Sequence, residues 1–395
     1  MSPFRIETDP ADYVDLQERL RRIRWPGNAP DNDDDGPNAG FLRRLMEHWR
    51  ERYDWWAAQQ SLNRLPQFMV SVDGMQIHTV FAAGRGPRPL PLLLTHGWPS
   101  TFTEFTGIMG RLTDPQAYGG DPADAFDVAI PSLPGFVFSD PLPNGSIRHV
   151  TTLWVKLMSA LGYERFGAHG GDIGAFVTNR LAIEHPDHLV GIHTGFPAEP
   201  AFAEDLDDEE RRFLDHRKYD RESGGAYAHI QRTRPWTLTY ALSDSPTGLA
   251  AWILDKWRDW TDCDGDLRNR FTFDDLLTVV NLYWLTKTIG TSFRFYREWG
   301  LNGDPDLISQ LYPSCPPGTD AYPLASGERI EVPAAVALFK ARFPEQYVRR
   351  SYTDLRRFTI MPRGGHFPAL EEPDLLVNDL RRFFRPLRNH PIAQR

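Results

Sequence analysis

The chain has 395 residues, of which 41% are hydrophobic and 25% are charged, as in an ordinary globular protein. This length exceeds that of one typical hydrophobic core, so it predicts a large domain that carries a substantial insertion. The formal net charge of −9 argues against nucleic acid or an anionic membrane as the main partner. The two cysteines, Cys263 and Cys315, form no disulfide framework and no metal-type spacing.

The N-terminal sequence MSPFRIETDP lacks the basic and apolar regions of a signal peptide. No apolar run approaches the roughly 20 residues that are needed to span a bilayer. We therefore expect a cytoplasmic protein without a membrane partner. A homodimer is compatible with the sequence.

Residues 1–65 form a lead segment rich in Arg, Asp and Trp, with helical patterns at 13–23 and 41–57. Between these patterns, residues 26–37 (PGNAPDNDDDGP) are too polar and too rich in proline to pack. This stretch predicts a surface meander.

From residue 66 the pattern changes to that of an α/β domain. PQFMVSVDGMQIHTVFAA predicts two strands joined by a hairpin turn at Asp73 and Gly74, and LPLLLTH predicts a buried parallel strand. Helices are predicted at 103–112 and 151–161, and strands at 126–131, 165–169 and 188–193. This alternation up to residue 197 predicts a doubly wound, mostly parallel sheet.

Residues 198–325 interrupt the alternation with a helical block that is dense in Trp and Tyr. Helical patterns are found at 205–219, 246–260 and 274–299. The alternation resumes in residues 326–395, with strands predicted at 330–339 and 357–361 and a helix at 371–384. The sequence thus predicts one α/β domain, formed by 66–197 and 326–395, with a helical insertion.

The segment HGGDIG carries the strongest chemical signal. It places Asp172 between glycines two residues before and two residues after it, between a predicted strand and a predicted helix. This is the pattern of a nucleophile elbow, in which a sharp turn projects the central side chain into solvent. The helix that follows favours negative charge at its N-terminus. The structural alternative is an Asp that caps a helix after a glycine turn.

Two further loops agree with this interpretation. THGWPS directly follows the apolar strand, where an α/β-hydrolase donates one backbone N–H to an oxyanion hole, and the residue after the nucleophile donates the other. Trp98 and Ile173 are the predicted donors. In RGGHF, His366 follows the last predicted strand, as the chain order nucleophile, acid, histidine requires. The structural alternative for THGWPS is a turn that simply ends the strand. The alternative for His366 is an ordinary surface or core histidine.

Several segments resemble the microsomal-type epoxide hydrolases over nearly the whole chain. They are HGWPS, PSLPGFVFSD, GGDIG, RGGHFPALEEPDLL, ESGGAYAHIQRTRPWTLTYALSDSPTGLAAWILDKW and FRIETDPADYVDLQERLRRIRWP. The resemblance implies an α/β-hydrolase fold in which residues 1–65 wrap the hydrolase domain and residues 198–325 form a cap. Animal members begin with a membrane anchor, which we do not expect here. The chain is similar instead to soluble bacterial members, some of which act in secondary metabolism.

The expected reaction converts an epoxide to a vicinal diol. An epoxide has no carbonyl, so a carboxylate such as Asp172 can open it by displacement at carbon, forming an ester. Water activated by His366 would hydrolyse that ester, with the oxyanion hole stabilising this second step. The resemblance implies that Tyr227 in SGGAYAHIQ and Tyr296 in RFYREW donate a proton to the nascent alkoxide. The alternative is that both tyrosines are core or interface aromatic residues. No cofactor or metal is required.

The acid that should orient His366 is where the sequence departs from the family pattern. The resemblance places a Glu beyond the strand VPAAVALF, but a count without gaps reaches Arg342, so this loop is about three residues shorter. Glu345 is the leading candidate, and Asp354 and Glu199 are alternatives. A glutamate that merely begins a helix is the structural alternative for Glu345.

The substrate is expected to be an apolar or aromatic epoxide that contacts Trp98, Ile173, Tyr227, Tyr296 and Phe367. Two other functions are open. A haloalkane dehalogenase shares the Asp and His but commonly has Trp after the nucleophile, where this chain has Ile173. A catalytically degenerate, ligand-binding hydrolase-like protein is the other alternative, because the acid is unclear.

Overall fold

A computed structural model of the chain describes residues 1–29, 31–33, 35–142, 146–200, 205–299, 324 and 327–389. Within this part of the chain, one sheet of nine strands forms the centre of the molecule. The strands are β1 (Ser2–Pro3), β2 (Gln67–Val72), β3 (Met75–Ala82), β4 (Leu90–Thr95), β5 (Phe126–Pro131), β6 (Phe166–Gly170), β7 (Leu189–Thr194), β8 (Ala334–Leu338) and β9 (Leu355–Ile360).

The sheet has the order β1-β2-β3-β5-β4-β6-β7-β8-β9. The strands from β1 through β3 to β5 pair in antiparallel fashion, and those from β5 through β4 to β9 are parallel. Every residue of β4, β5, β6, β7 and β8 is buried, as expected for parallel strands covered on both faces. The predicted mostly parallel sheet is confirmed.

The predicted hairpin between β2 and β3 is also confirmed. Val72 pairs with Met75 across the two-residue turn. Asp73 and Gly74 have φ angles of 49° and 81°, the left-handed values that a type I′ turn requires at both central positions.

Helices cover the sheet on both faces and also form the insertion between β7 and β8. They are α1 (Pro10–Arg21), α2 (Ala39–Glu51), α3 (Trp55–Leu62), α4 (Thr103–Thr113), α5 (Ile147–Ala160), α6 (Ile173–Glu184), α7 (Asp208–Gly224), α8 (Ala226–Thr233), α9 (Pro235–Asp244), α10 (Pro246–Trp260), α11 (Phe273–Thr286), α12 (Ile289–Ser292), α13 (Arg294–Trp299), α14 (Glu345–Arg349), α15 (Pro368–Glu371) and α16 (Pro373–Phe384). None of the described helices is long and apolar enough to cross a membrane.

The single helix expected at 41–57 is in fact two helices, α2 and α3. The chain breaks at Asp54, whose carboxylate accepts a hydrogen bond from the backbone N–H of Ala57 at 3.1 Å and caps α3. An Asp at this position satisfies an N–H group that the first turn would otherwise leave unpaired, so it favours a new helix start over continuation.

The lead segment packs against the helical insertion as well as against the sheet. Leu45, Met46 and Trp49 form the buried face of α2, and α2 contacts both α10 and α11. Polar contacts tie the lead to the insertion at three points: Arg19 Nη1 to Asp244 Oδ1 at 2.6 Å, His48 Nε2 to Asp274 Oδ1 at 2.6 Å, and Lys287 Nζ to Asp12 Oδ1 at 2.9 Å.

Candidate active site

Asp172 lies in the sharp turn between β6 and α6, with φ 50° and ψ −126°. A non-glycine residue in this region costs about 1–3 kcal/mol, so the surrounding structure must hold it there. The turn requires glycine at positions 170 and 174, because a side chain at either position would clash with neighbouring backbone atoms. A Cβ on Gly174 would lie 1.9 Å from the carbonyl oxygen of Thr95, and one on Gly170 would lie 2.2 Å from the backbone of Gly174.

The loop after β4 reaches the carboxylate of Asp172 from the other side. A Cβ on Gly97 would lie 2.4 Å from Asp172 Oδ1, so only glycine allows this approach. The backbone N–H of Trp98 donates to Asp172 Oδ1 at 2.9 Å. Ile173, the other expected donor, is buried as the first residue of α6. The geometry thus brings Asp172 and Trp98 N together as the sequence predicts.

His96 holds this loop, a role that sequence analysis missed. Its Nε2 accepts a hydrogen bond from the backbone N–H of Leu133 at 3.1 Å, so the ring proton lies on Nδ1, which donates to Gly97 O at 3.0 Å. Burial lowers the pKa of His96 to about 4, against smaller raising effects of Gly97 and Asp172. The ring therefore stays neutral and links the loops after β4 and β5.

His366 forms an ion pair with the nucleophile. Its Nε2 lies 3.3 Å from Asp172 Oδ2, although the angle falls short of a well-aligned hydrogen bond. Burial by itself lowers the pKa of His366, but the adjacent Asp172 carboxylate, helped by Glu104 and Glu371, more than offsets this effect, so the pKa is raised. The contact with Asp172 therefore favours the protonated form of the His366 ring.

Glu371 fixes the backbone on both sides of His366. Its carboxylate accepts hydrogen bonds from the N–H groups of Gly365 at 2.9 Å, Phe367 at 2.9 Å and Asp262 at 2.7 Å. The third of these bonds connects the histidine loop (residues 363–367) to the segment that follows α10. Sequence analysis missed Glu371, because a Glu-Glu pair ahead of a helix carries no distinctive signal.

The two predicted tyrosines lie in the helical insertion above the nucleophile. The Tyr227 ring stacks on Trp98 with centroids 5.5 Å apart, and the Tyr296 ring meets Trp98 edge-on at 5.7 Å and Tyr227 at 5.8 Å. Burial, with the nearby charge of Asp172, raises the pKa of Tyr227, and burial is also the largest cause of the raised pKa of Tyr296. Both phenols are therefore neutral donors at ordinary pH.

Phe367 was expected to contact substrate, but the structure gives it a packing role. Its side chain is buried, and its ring stacks on Trp257 of α10 with centroids 4.5 Å apart. The contact fastens the histidine loop to the helical insertion, and substrate contact by Phe367 stays a prediction.

A cavity of about 220 Å³ adjoins Asp172 and His366. It is bounded by the loops after β6, β7 and β8, by the C-terminal end of α10 and by the histidine loop. Two buried polar side chains, Glu104 of α4 and His169 of β6, also line it. Trp260 closes one wall, and its ring packs on His366 with centroids 4.8 Å apart.

Beneath this cavity His169 belongs to a buried polar network. Its Nδ1 lies 2.9 Å from His193 Nδ1, and His193 Nε2 lies 3.1 Å from Asp379 Oδ2. The other oxygen of Asp379 accepts from Arg357 Nε at 2.8 Å. Burial, with the neighbouring His193 ring, holds the pKa of His169 well below its ordinary value, so His169 is neutral.

The structure does not bring Glu345 to His366, which corrects the prediction. Glu345 is exposed as the first residue of α14, and its Oε1 accepts from Arg349 Nη2 at 2.6 Å one turn later. Asp354 is partly exposed and pairs with Arg356 at 2.8 Å, while the buried Glu199 pairs with Arg217. Glu345, the first glutamate after β8, therefore lies on the exposed surface of α14 and not beside His366.

Comparison with known proteins agrees with this architecture. The family described as Epoxide hydrolase N terminus matches residues 1–105, and the alpha/beta hydrolase fold family matches residues 91–266. "Putative epoxide hydrolase" of Stigmatella aurantiaca (strain DW4/3-1) is 39% identical over 98% of this chain and 86% of its own length. Epoxide hydrolase 1 of Sus scrofa is 33% identical over 96% of this chain and 88% of its own length. The chain belongs to the epoxide hydrolase family.

A solved structure supports the same assignment. The Aspergillus niger epoxide hydrolase superposes with a TM-score of 0.80 at 27% identity, over 98% of this chain and 96% of that one. The predicted α/β-hydrolase fold and the resemblance to microsomal-type epoxide hydrolases are confirmed.

For this epoxide hydrolase, we expect Glu371→Gln to weaken both stability and turnover. The amide has one acceptor oxygen and no charge for three N–H donors, two of them buried, so the free energy of unfolding should fall by about 2–4 kcal/mol. A displaced histidine should lower kcat by about 10²-fold. Urea unfolding and steady-state kinetics measure the two effects. Glu345→Gln, an identical change at an exposed site, is the control, and equal behaviour of the two variants would contradict the role of Glu371.

Proposed function

We propose that this epoxide hydrolase converts its substrate to a vicinal diol through an ester of Asp172, which His366-activated water then hydrolyses. The observation that carries the proposal is the position of the carboxylate. One oxygen accepts from Trp98 N at 2.9 Å and the other lies 3.3 Å from His366 Nε2. The rings of Tyr227 and Tyr296 both pack against Trp98.

In the first half-reaction an Asp172 oxygen bonds to an epoxide carbon, and the bond from that carbon to the ring oxygen breaks. The oxygen leaves as an alkoxide, which is a poor leaving group unless it receives a proton. Tyr227 and Tyr296 are suited to donate it, because their raised pKa values keep them neutral until the alkoxide forms.

In the second half-reaction water attacks the carbonyl carbon of the ester. Ester formation removes the negative charge of Asp172, which is the main cause of the raised pKa of His366, so burial then lowers that pKa. The neutral imidazole can accept a proton from water, while the N–H groups of Trp98 and Ile173 stabilise the oxyanion. One proton of the water protonates the leaving diol oxygen, and the other restores the tyrosine.

The surroundings of Asp172 favour an apolar or aromatic epoxide. Near the nucleophile, the aromatic rings of Trp98, Trp260, Tyr227 and Tyr296 pack against one another with centroid-to-centroid distances of 5.3 to 6.5 Å. Rings at such separations bury apolar surface and stack on aromatic groups.

The direct test is incubation with styrene oxide, followed by chromatographic measurement of the diol. We expect diol from the wild-type chain. A terminal chloroalkane in parallel incubations tests the dehalogenase alternative, in which halide would be released and no diol would form. Tight binding of styrene oxide without either product would instead identify a binding protein.

A further inference from the structure

Apart from the nucleophile Asp172, His366 has no carboxylate partner among the described residues. No described carboxylate forms a hydrogen bond with its Nδ1, and Glu345, Asp354 and Glu199 are each paired with an arginine elsewhere. The ring instead faces the 220 Å³ cavity that adjoins Asp172. An imidazole that must become positively charged during ester hydrolysis would be costly to protonate there without a nearby negative charge.

Glu104 supplies a carboxylate to that cavity. It lies in the first turn of α4, with only 3% of its surface exposed, and lines the cavity together with Asp172 and His366. Its Oε1 is 3.9 Å from the position that a Cβ on Gly171 would occupy, so it lies against the backbone next to the nucleophile. Within the described part of the chain, the main groups acting on the Glu104 carboxylate are Ser100, His366, Asp172 and Glu371, and none of them is an arginine or lysine.

We infer that Glu104 is the positioning residue for His366, acting across the cavity in place of the acid that the loop after β8 does not provide. The inference rests on the proposed function and concerns its second half-reaction. The cavity volume exceeds the roughly 30 Å³ that a water occupies in the liquid, so it has room for a bridging water. Through such a water the Glu104 carboxylate orients the ring and stabilises the imidazolium.

The other charged groups that line the cavity are already engaged. Asp259 pairs with Arg258 at 2.8 Å, and Lys340 Nζ donates to the carbonyl oxygens of Asp259 at 3.0 Å and Thr261 at 2.8 Å. His169 is neutral. Glu371, behind the histidine loop, already accepts from three backbone N–H groups.

The reaction itself favours the ionised form of Glu104 at the step where His366 becomes positively charged. Burial raises its pKa to about 7, and the nearby Asp172 and Glu371 act in the same sense, while Ser100 and His366 lower it. Ester formation neutralises Asp172, and proton transfer from water then charges His366. Both changes lower the pKa of Glu104, so it is ionised when the imidazolium forms.

The test is rapid-quench kinetics of the full chain with styrene oxide. Glu104→Gln should form the Asp172 ester as fast as the wild-type chain and accumulate it. Hydrolysis should slow by at least about 10-fold and by up to about 10⁴-fold, the loss when the serine-triad Asp becomes Asn. Glu104→Asp keeps the charge and should recover a measurable part of the rate. In the wild-type chain hydrolysis should rise with pH through the ionisation of Glu104, at a pH below about 7 because the ester has removed the Asp172 charge that helps to raise this pKa. Glu104→Gln should lack that contribution.

Three results would overturn the inference, and they differ from a failure of the proposed function. Ester hydrolysis by Glu104→Gln at the wild-type rate would do so while the ester mechanism stands. Ester accumulation in Glu345→Gln but not in Glu104→Gln would restore the sequence-based candidate. Equal slow rates in Glu104→Gln and Glu104→Asp would assign the effect to packing rather than charge. If the wild-type chain forms no ester, the proposed function fails, and this inference with it.

Discussion

Asp172→Ala is expected to abolish ester formation and to reduce epoxide turnover by about 10⁶-fold, by analogy with the loss found when the nucleophilic serine is removed from a serine protease. The other catalytic groups, His366 and the two tyrosines, are not carboxylates and cannot form the ester in its place. The fold should survive, because the glycines that form the elbow are unchanged. Asp187→Ala, at an exposed position after α6, is the matched control and should keep full activity.

Isotope labelling tests the same step without a mutation. In a single turnover in heavy-oxygen water, the diol from the wild-type chain should carry no label, because its new oxygen comes from Asp172. The label should enter the carboxylate when water attacks the ester carbonyl, and later turnovers should release labelled diol. A labelled diol in the first turnover would mean that water attacks the epoxide directly, and the ester mechanism would be wrong.

The double variant Tyr227→Phe/Tyr296→Phe is expected to show the second large loss. Each single change removes one proton donor and should slow epoxide opening by about 10²-fold, the lower end of the range for general acid catalysis. In each single variant the remaining hydroxyl can still donate a proton and so partly compensates for the change. The opening rate of the double variant should therefore fall by about 10⁴-fold or more. Phenylalanine keeps the ring contacts with Trp98, so packing should change little.

Rapid-quench measurement of ester formation separates this effect from later steps. Tyr240→Phe, at a residue of the same insertion whose side chain is 77% exposed, is the control and should open epoxide at the wild-type rate. Because burial raises the pKa of both active-site tyrosines above its ordinary value, their ionisation should not reduce the opening rate below about pH 10. An unchanged opening rate in the double variant would remove the tyrosines from the mechanism.

The parts of the fold that were predicted from the sequence have local signals. Asp73 and Gly74 require left-handed backbone angles wherever they lie, and LPLLLTH can be buried on both faces only inside a sheet. The elbow is equally local, since its glycines lie within two residues of Asp172. For such segments nearest neighbours along the chain decide the conformation, and the sequence contains them.

The parts of the site that could not be predicted depend on contacts distant in sequence. Glu104 is an ordinary first-turn glutamate until the fold brings Asp172 and His366 to the same cavity. Glu371 acquires its role only when the loop around His366 curls back on it. The mistaken choice of Glu345 has the same origin, because proximity in sequence to the expected position gave no information about its exposure on α14.

The ties between the lead segment and the helical insertion also constrain how the chain can fold while it is being made. Arg19 and Asp244 are 225 residues apart, and Asp12 and Lys287 are 275 residues apart. At about 5–20 residues per second, a ribosome needs roughly 10 to 55 s to supply the later partner. Throughout that interval the apolar face of α2 has no α10 or α11 to pack on. The first 60 residues therefore gain their full set of contacts only after the insertion has been made, and a nascent chain that stalls before then exposes them to aggregation.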